Sequence, residues 1–167
     1  MIKMNEKLTQ VLNKQKKQMQ EPDKTEDNIV QLVGFIIGDE EYAIPILSIQ
    51  EIIKPLEYTR VPQVPPYVLG VFNLRGDVIP LIDLRRKFKL ESRNETNETR
   101  YIVIKNDDNI AGFVIDRLTE AIRIKRSRID PPPETIISDT GLVYGIGKRD
   151  ENMLTVLKID ALLKRDF

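Results

Sequence analysis

Two apolar runs, Val68–Leu74 and Val78–Ile82, stand either side of Arg75-Gly76-Asp77. Each run has the length of a strand and is rich in β-branched or aromatic residues, and a glycine-bearing break between such runs closes a hairpin. A hairpin this apolar needs partners on both faces, so it must lie inside a larger β assembly with Arg75 held at its tip. Pro80 cannot donate to a ladder and is therefore expected at an edge or a bulge. Asp83 ends the second arm and has the side chain to cap a helical turn over Leu84–Phe88.

The rest of the chain repeats this theme. Ile29–Gly38 reads as a long strand, Asp39-Glu40-Glu41 as a turn and Tyr42–Ile44 as the return arm; Ile46–Ile53 has the spacing of one or two helical turns ending before Pro55. Pro62, Pro65 and Pro66 stiffen the approach to the central hairpin, and Glu91–Thr99 is a polar, exposed loop. Tyr101–Lys105, a turn at Asn106–Asn109 and Ile110–Ile115 then form a second hairpin, followed by Leu118–Ile124 and Pro131-Pro132-Pro133. A last hairpin runs Leu142–Gly147, turns through Lys148–Asn152 and returns along Met153–Leu157, and Asp160 is expected to cap a final helix over Ala161–Lys164. Halves 29–92 and 100–167 therefore carry the same features in the same order, which points to a duplicated β-unit. Short strands at even spacing with turns between them indicate small barrels or a sandwich rather than a parallel sheet. The expected class is all-β with minor helix: two packed β-barrels, with residues 31–90 and 101–163 superposing.

Residues 1–27 differ in composition, lysine- and glutamine-rich to Gln20 and acidic from Glu21 to Asp27. Met4, Leu8, Val11 and Leu12 fall at helical spacing, but a helix this short is marginal in water. The segment is read as a flexible tail, with residues 28–167 as the folded domain, and removing Met1–Glu21 is expected to change neither stability nor binding.

Composition narrows the chemistry. The 167 residues contain no cysteine and no histidine, which removes disulfides, thiolate catalysis, the commonest general base and the commonest metal ligand. Twenty-six basic residues balance 26 acidic ones, so no global field draws the chain to nucleic acid or anionic lipid. No apolar run reaches the ~18 residues of a membrane span and the first residues are too polar for a signal peptide, so the expected location is cytoplasmic. Catalysis by carboxylates such as Asp83 or Asp116, by lysine or by tyrosine is not forbidden, but an enzyme is the less expected reading, and no cofactor or metal site is expected.

Several motifs dissolve on inspection. Arg75-Gly76-Asp77 spells an adhesion tripeptide but is explained by the turn, and Asn94-Glu95-Thr96 and Asn97-Glu98-Thr99 mark an exposed loop. Gly145-Ile146-Gly147-Lys148 lacks the glycine and hydroxyl residue that a phosphate loop needs at positions 142 and 149. Asp83, Asp116 and Asp160 each follow an isoleucine at a strand end; equivalent caps explain them more simply than a carboxylate metal site. The basic runs Arg85–Arg93 and Arg117–Arg128 leave a small-barrel nucleic-acid binder as the alternative function, although no aromatic stacking platform accompanies them.

The run Asn73-Leu74-Arg75-Gly76-Asp77-Val78-Ile79-Pro80-Leu81-Ile82-Asp83-Leu84-Arg85 resembles the CheW family of chemotaxis coupling proteins. Supporting matches are Gly38–Tyr42, Ile49-Gln50-Glu51-Ile52, Gly112–Asp116 and Ile159–Leu163, so the likeness spans Ile29 to the C-terminus. It implies two intertwined five-stranded barrels of the Src-homology-3 type and a non-enzymatic adaptor that links the cytoplasmic tips of chemoreceptors to the histidine kinase CheA within receptor arrays. It places receptor binding in a groove between the barrels, at the positions matched here by Ile49, Glu51 and Arg75. A contact with the kinase, which carries a homologous domain, would fall between Asp130 and Thr135, around Pro131–Pro133.

Overall fold

The computed structural model describes residues 8–10, 28–134 and 141–165. It contains eleven strands: β1 (Ile29–Ile37), β2 (Glu40–Pro45), β3 (Ile49–Ile53), β4 (Val68–Leu74), β5 (Asp77–Asp83), β6 (Arg100–Asn106), β7 (Asn109–Ile115), β8 (Arg117–Lys125), β9 (Ile129–Asp130), β10 (Val143–Arg149) and β11 (Asn152–Leu157). Two short helices, α1 (Leu84–Lys87) and α2 (Ile159–Leu163), follow β5 and β11. Among the described residues no helix is long and apolar enough to cross a membrane.

The strands form two sheets, one of order β8-β1-β2-β11-β10-β9 and one of order β3-β6-β7-β5-β4. The expected class holds: the chain is mostly β, with two small barrels and few helical residues. The six-stranded sheet differs from the expected five by the two-residue edge strand β9. Each sheet draws on both halves of the sequence. The first two strands of each half join the last strands of the other, through antiparallel pairs β1–β8 and β3–β6 and parallel pairs β2–β11 and β5–β7. The element order does repeat, but neither half closes a sheet by itself, so the expected superposition of residues 31–90 and 101–163 as two barrels is corrected to an exchange between them.

This exchange sets where the core lies. Leu32, Ala43, Ile122, Ile124, Leu154 and Val156 fill one barrel, and Phe72, Ile79, Leu81, Tyr101 and Val103 fill the other. The larger buried cluster lies between the sheets and includes Phe35, Ile44, Ile49, Ile102, Phe113 and Leu162. Because burial of each such side chain contributes ~1.5–3 kcal/mol, the interface between barrels stabilises the fold more than either interior.

Local departures from expectation have physical causes. Only Ile46–Ser48 of the predicted helical stretch turns, as a 3-10 helix, and Ile49–Ile53 is strand. A bulge between Ile49 and Glu51 leaves Gln50 exposed and lets Ile49 and Ile52, three residues apart, join one buried cluster; in sequence that spacing mimics a helix. Pro80 sits in a middle strand, not at an edge. Counting the alternation from the turn pair Leu74–Asp77 puts Val71–Pro80 at a position without mutual hydrogen bonds, and the ladder to β7 begins only at Leu81. No donor is required of it there.

The last hairpin has a tighter turn than expected, Asp150-Glu151, with its strands extending to Arg149 and Asn152. Of the three strand-end aspartates only Asp83 caps, accepting from the Arg85 N–H at 3.0 Å. Asp160 lies in the first turn of α2, whose N-cap is Lys158, and accepts from the Asn106 amide at 2.6 Å. Asp116 is an ion-pair partner. Finally, Leu8 belongs to no solvated tail: it sits in a helical turn, only 4% exposed, within the inter-sheet cluster.

Candidate functional site

The central hairpin turns on two residues, Arg75 and Gly76, both in the left-handed region at φ 52° and 90°. That pairing matches the strand twist of a two-residue hairpin, and Asn73 Oδ1 accepts from the Gly76 N–H at 2.9 Å to hold it. Gly76 supplies its conformation freely; for Arg75 the same conformation costs ~1 kcal/mol, a strain of the kind retained where a side chain must be aimed.

The guanidinium of Arg75 points to β3. Its Nη1 donates to Glu51 Oε2 at 2.8 Å and its Nη2 to Glu51 Oε1 at 2.7 Å. Arg75 is 73% exposed, whereas Glu51 is 21% exposed and fixed in a strand. The carboxylate therefore orients the arginine, tying the edge strand β3 to the β4–β5 turn of the same sheet. Beside the pair, Glu51, Gln50, Ile49 and Ile52 of β3 line a cavity of about 180 Å3 with Val33, Leu8 and Thr9. Ile49, Glu51 and Arg75 are thus brought together, but Ile49 is only 5% exposed.

An analogous pair closes the other barrel. Arg149, at the end of β10, reaches Glu120 on β8 at 2.7 Å and Glu41 at 3.8 Å, and Thr119 donates to Glu41 at 2.6 Å. Nothing in the sequence marks Arg149, because its partners are set by the exchanged strands.

In the first basic run, Arg85, Arg86 and Arg93 each meet an aspartate. Arg85 Nε and Nη2 donate to Asp116 Oδ1 and Oδ2 at 2.8 and 2.7 Å, and the Gly38 N–H donates to the same carboxylate at 2.8 Å. Burial opposes ionisation of Asp116, but the hydrogen bonds from Arg85 and Gly38, with the charges of Arg85 and Arg93, hold its pKa below the usual value. Asp83 goes the other way: burial dominates and raises its pKa despite Arg85 and Arg86. Arg86 also donates to Ser92 at 2.6 Å.

Asp130, expected at the kinase contact, lies on the edge strand β9 and pairs with Lys148 at 2.8 Å. Thr135 lies outside the described residues. Among the described residues no reaction centre is assembled; the site is an oriented arginine beside a partly apolar cavity.

Comparison with known proteins decides the family, since the description CheW-like domain matches residues 31–167. The chain belongs to the CheW-like family. It is 60% identical over 146 residues to the chemotaxis protein CheW of Helicobacter pylori, covering 86% of this chain and 88% of that one. The Bacillus subtilis CheW is 35% identical over 136 residues, covering 81% and 87%. Among solved structures, the crystal structure of scaffolding protein TtCheW from Thermoanaerobacter tengcongensis is similar with TM-score 0.74 and 33% identity, over 78% of this chain and 90% of that chain. CheW-like membership makes the chain a non-enzymatic scaffold of chemotaxis signalling and disfavours the nucleic-acid alternative.

Proposed function

We propose that this scaffold couples the cytoplasmic tips of chemoreceptors to the histidine kinase CheA, with Ile49, Glu51 and Arg75 at the receptor contact and the Asp130 edge strand at a kinase contact. The observation that carries the receptor reading is the Glu51–Arg75 pair. An exposed arginine held by two parallel hydrogen bonds is a pre-oriented anchor, and lysine cannot reproduce that geometry. As an exposed pair it contributes only ~0–1 kcal/mol to folding. At an interface, an arginine anchor is worth ~2 kcal/mol or more. The location that follows is association with membrane receptors through protein contacts.

Calorimetric titration with a receptor tip fragment tests it. Arg75→Ala should keep the fold and bind at least about tenfold more weakly, with partial recovery in Arg75→Lys. Glu51→Ala combined with Arg75→Ala should lose less than the sum of the single changes. Wild-type affinity in Arg75→Ala, or strictly additive losses, would refute the role of the pair.

A further inference from the structure

The groove beside the Glu51–Arg75 pair is already occupied by the chain itself. Residues 8–10 form a helical turn whose Leu8 is 4% exposed while Thr9 and Gln10 are exposed, so the turn lays one apolar side chain inward. Leu8 belongs to the buried cluster that contains Val33, Ile49 and Ile52, and lines with them the cavity next to Glu51. Leu8 is buried among residues of β1 and β3, so the turn is anchored by what it docks on. A leucine presented from a helix onto isoleucine and valine is also how an amphipathic helical partner seats in a groove.

We propose that the Leu8 segment is an intramolecular occupant of the Ile49–Ile52 groove and competes there with the receptor tip. The proposal rests on the receptor reading above and explains why Ile49, expected at the contact, is covered. Residues 8–10 are outside both sheets and contribute one buried side chain, so they can leave without opening a strand. A partner that needs the vacated groove sees its affinity reduced by the fraction of chains in which the groove is open. If the segment is docked nine-tenths of the time, release strengthens binding about tenfold.

Two measurements on the full chain test this, using Leu8→Asp, with a chain lacking residues 1–27 as the second variant and Leu8→Met as the control. Methyl NMR without any partner should show the Val33, Ile49 and Ile52 resonances moving in Leu8→Asp and in the truncated chain, and little change in Leu8→Met. Titration with the receptor tip fragment should then show about three- to tenfold tighter binding for the first two variants. Unmoved methyl groups overturn the docking. Moved methyl groups with unchanged or weaker fragment affinity overturn the competition. A fragment that binds none of the chains overturns the receptor reading and the competition with it, an outcome told apart from failed docking because the methyl shifts need no partner.

Discussion

Asp83 and Asp116 behave oppositely because their surroundings do. Asp116 receives two guanidinium hydrogen bonds and a backbone N–H, which outweigh its burial and lower its pKa. A lowered folded-state pKa gives stability that is present above the unfolded value of ~3.9 and lost as pH falls through the folded one. Asp116→Asn should therefore cost about 3 kcal/mol at neutral pH, by leaving Arg85 without its charge partner, and the difference from the unsubstituted chain should shrink in acid. Asp83 has its pKa raised, chiefly by burial. Its contribution is present below the unfolded pKa and is lost as pH rises through the raised value, so at neutral pH its charge is a liability. Asp83→Asn keeps a side-chain oxygen for the Arg85 N–H and should be neutral or mildly stabilising at pH 7. Urea unfolding of both variants between pH 3 and pH 7 (about the span that brackets carboxylate titration) checks the signs; a larger loss for Asp83→Asn than for Asp116→Asn at pH 7 would reverse the argument.

At the scale of single elements, the central hairpin is positioned by backbone contacts as much as by its side chains. The connection before it runs back along β4, where Thr59 and Val71 exchange N–H···O bonds of 2.8 Å. That approach is possible because Gly70 has no side chain: a Cβ there would collide with the carbonyl oxygen of Thr59. Gly76 differs, since a Cβ there meets nothing and only the left-handed backbone objects. Gly70→Ala should thus destabilise by about 2 kcal/mol or more, through backbone displacement. Gly76→Ala should cost about 1–2 kcal/mol, the conformational penalty alone. Denaturant midpoints compare them directly, and a smaller effect at Gly70 would show that the Thr59 bridge is dispensable.

For the whole molecule, the exchanged topology predicts how it unfolds. Residues 49–115 contain every strand of the five-stranded sheet in one contiguous piece. Cut out, that piece would expose Ile82, Leu84, Ile102, Ile104, Phe113 and Ile115, all buried against the other sheet. The fragment should be unfolded or aggregated, and the full domain should melt in one cooperative transition. Separate transitions for the two barrels in calorimetry, or a soluble folded fragment, would show that the barrel interiors suffice without the shared core.

What the sequence determined by itself was local. Strand-forming runs, a turn within Arg75-Gly76-Asp77, the Asp83 cap and the order of repeated elements follow from alternation, β-branching and turn chemistry within a few residues of one another. The family resemblance was legible for the same reason, since its central motif is that one hairpin, and it also implied the intertwining. What only the tertiary structure decided involves groups distant in the chain. Which half supplies each strand depends on the large apolar surface buried between the sheets, which no local pattern encodes. The bulge at Gln50 turned a helix-like spacing into a strand because β6 offered Ile102 and Ile104 as partners. The ion pairs of Asp116 with Arg85 and of Glu120 with Arg149 join residues that only the exchange brings together. Leu8 looked like part of a solvated tail because its neighbours are polar; the apolar groove that buries it is built from β1 and β3, and exists only once the sheets have assembled.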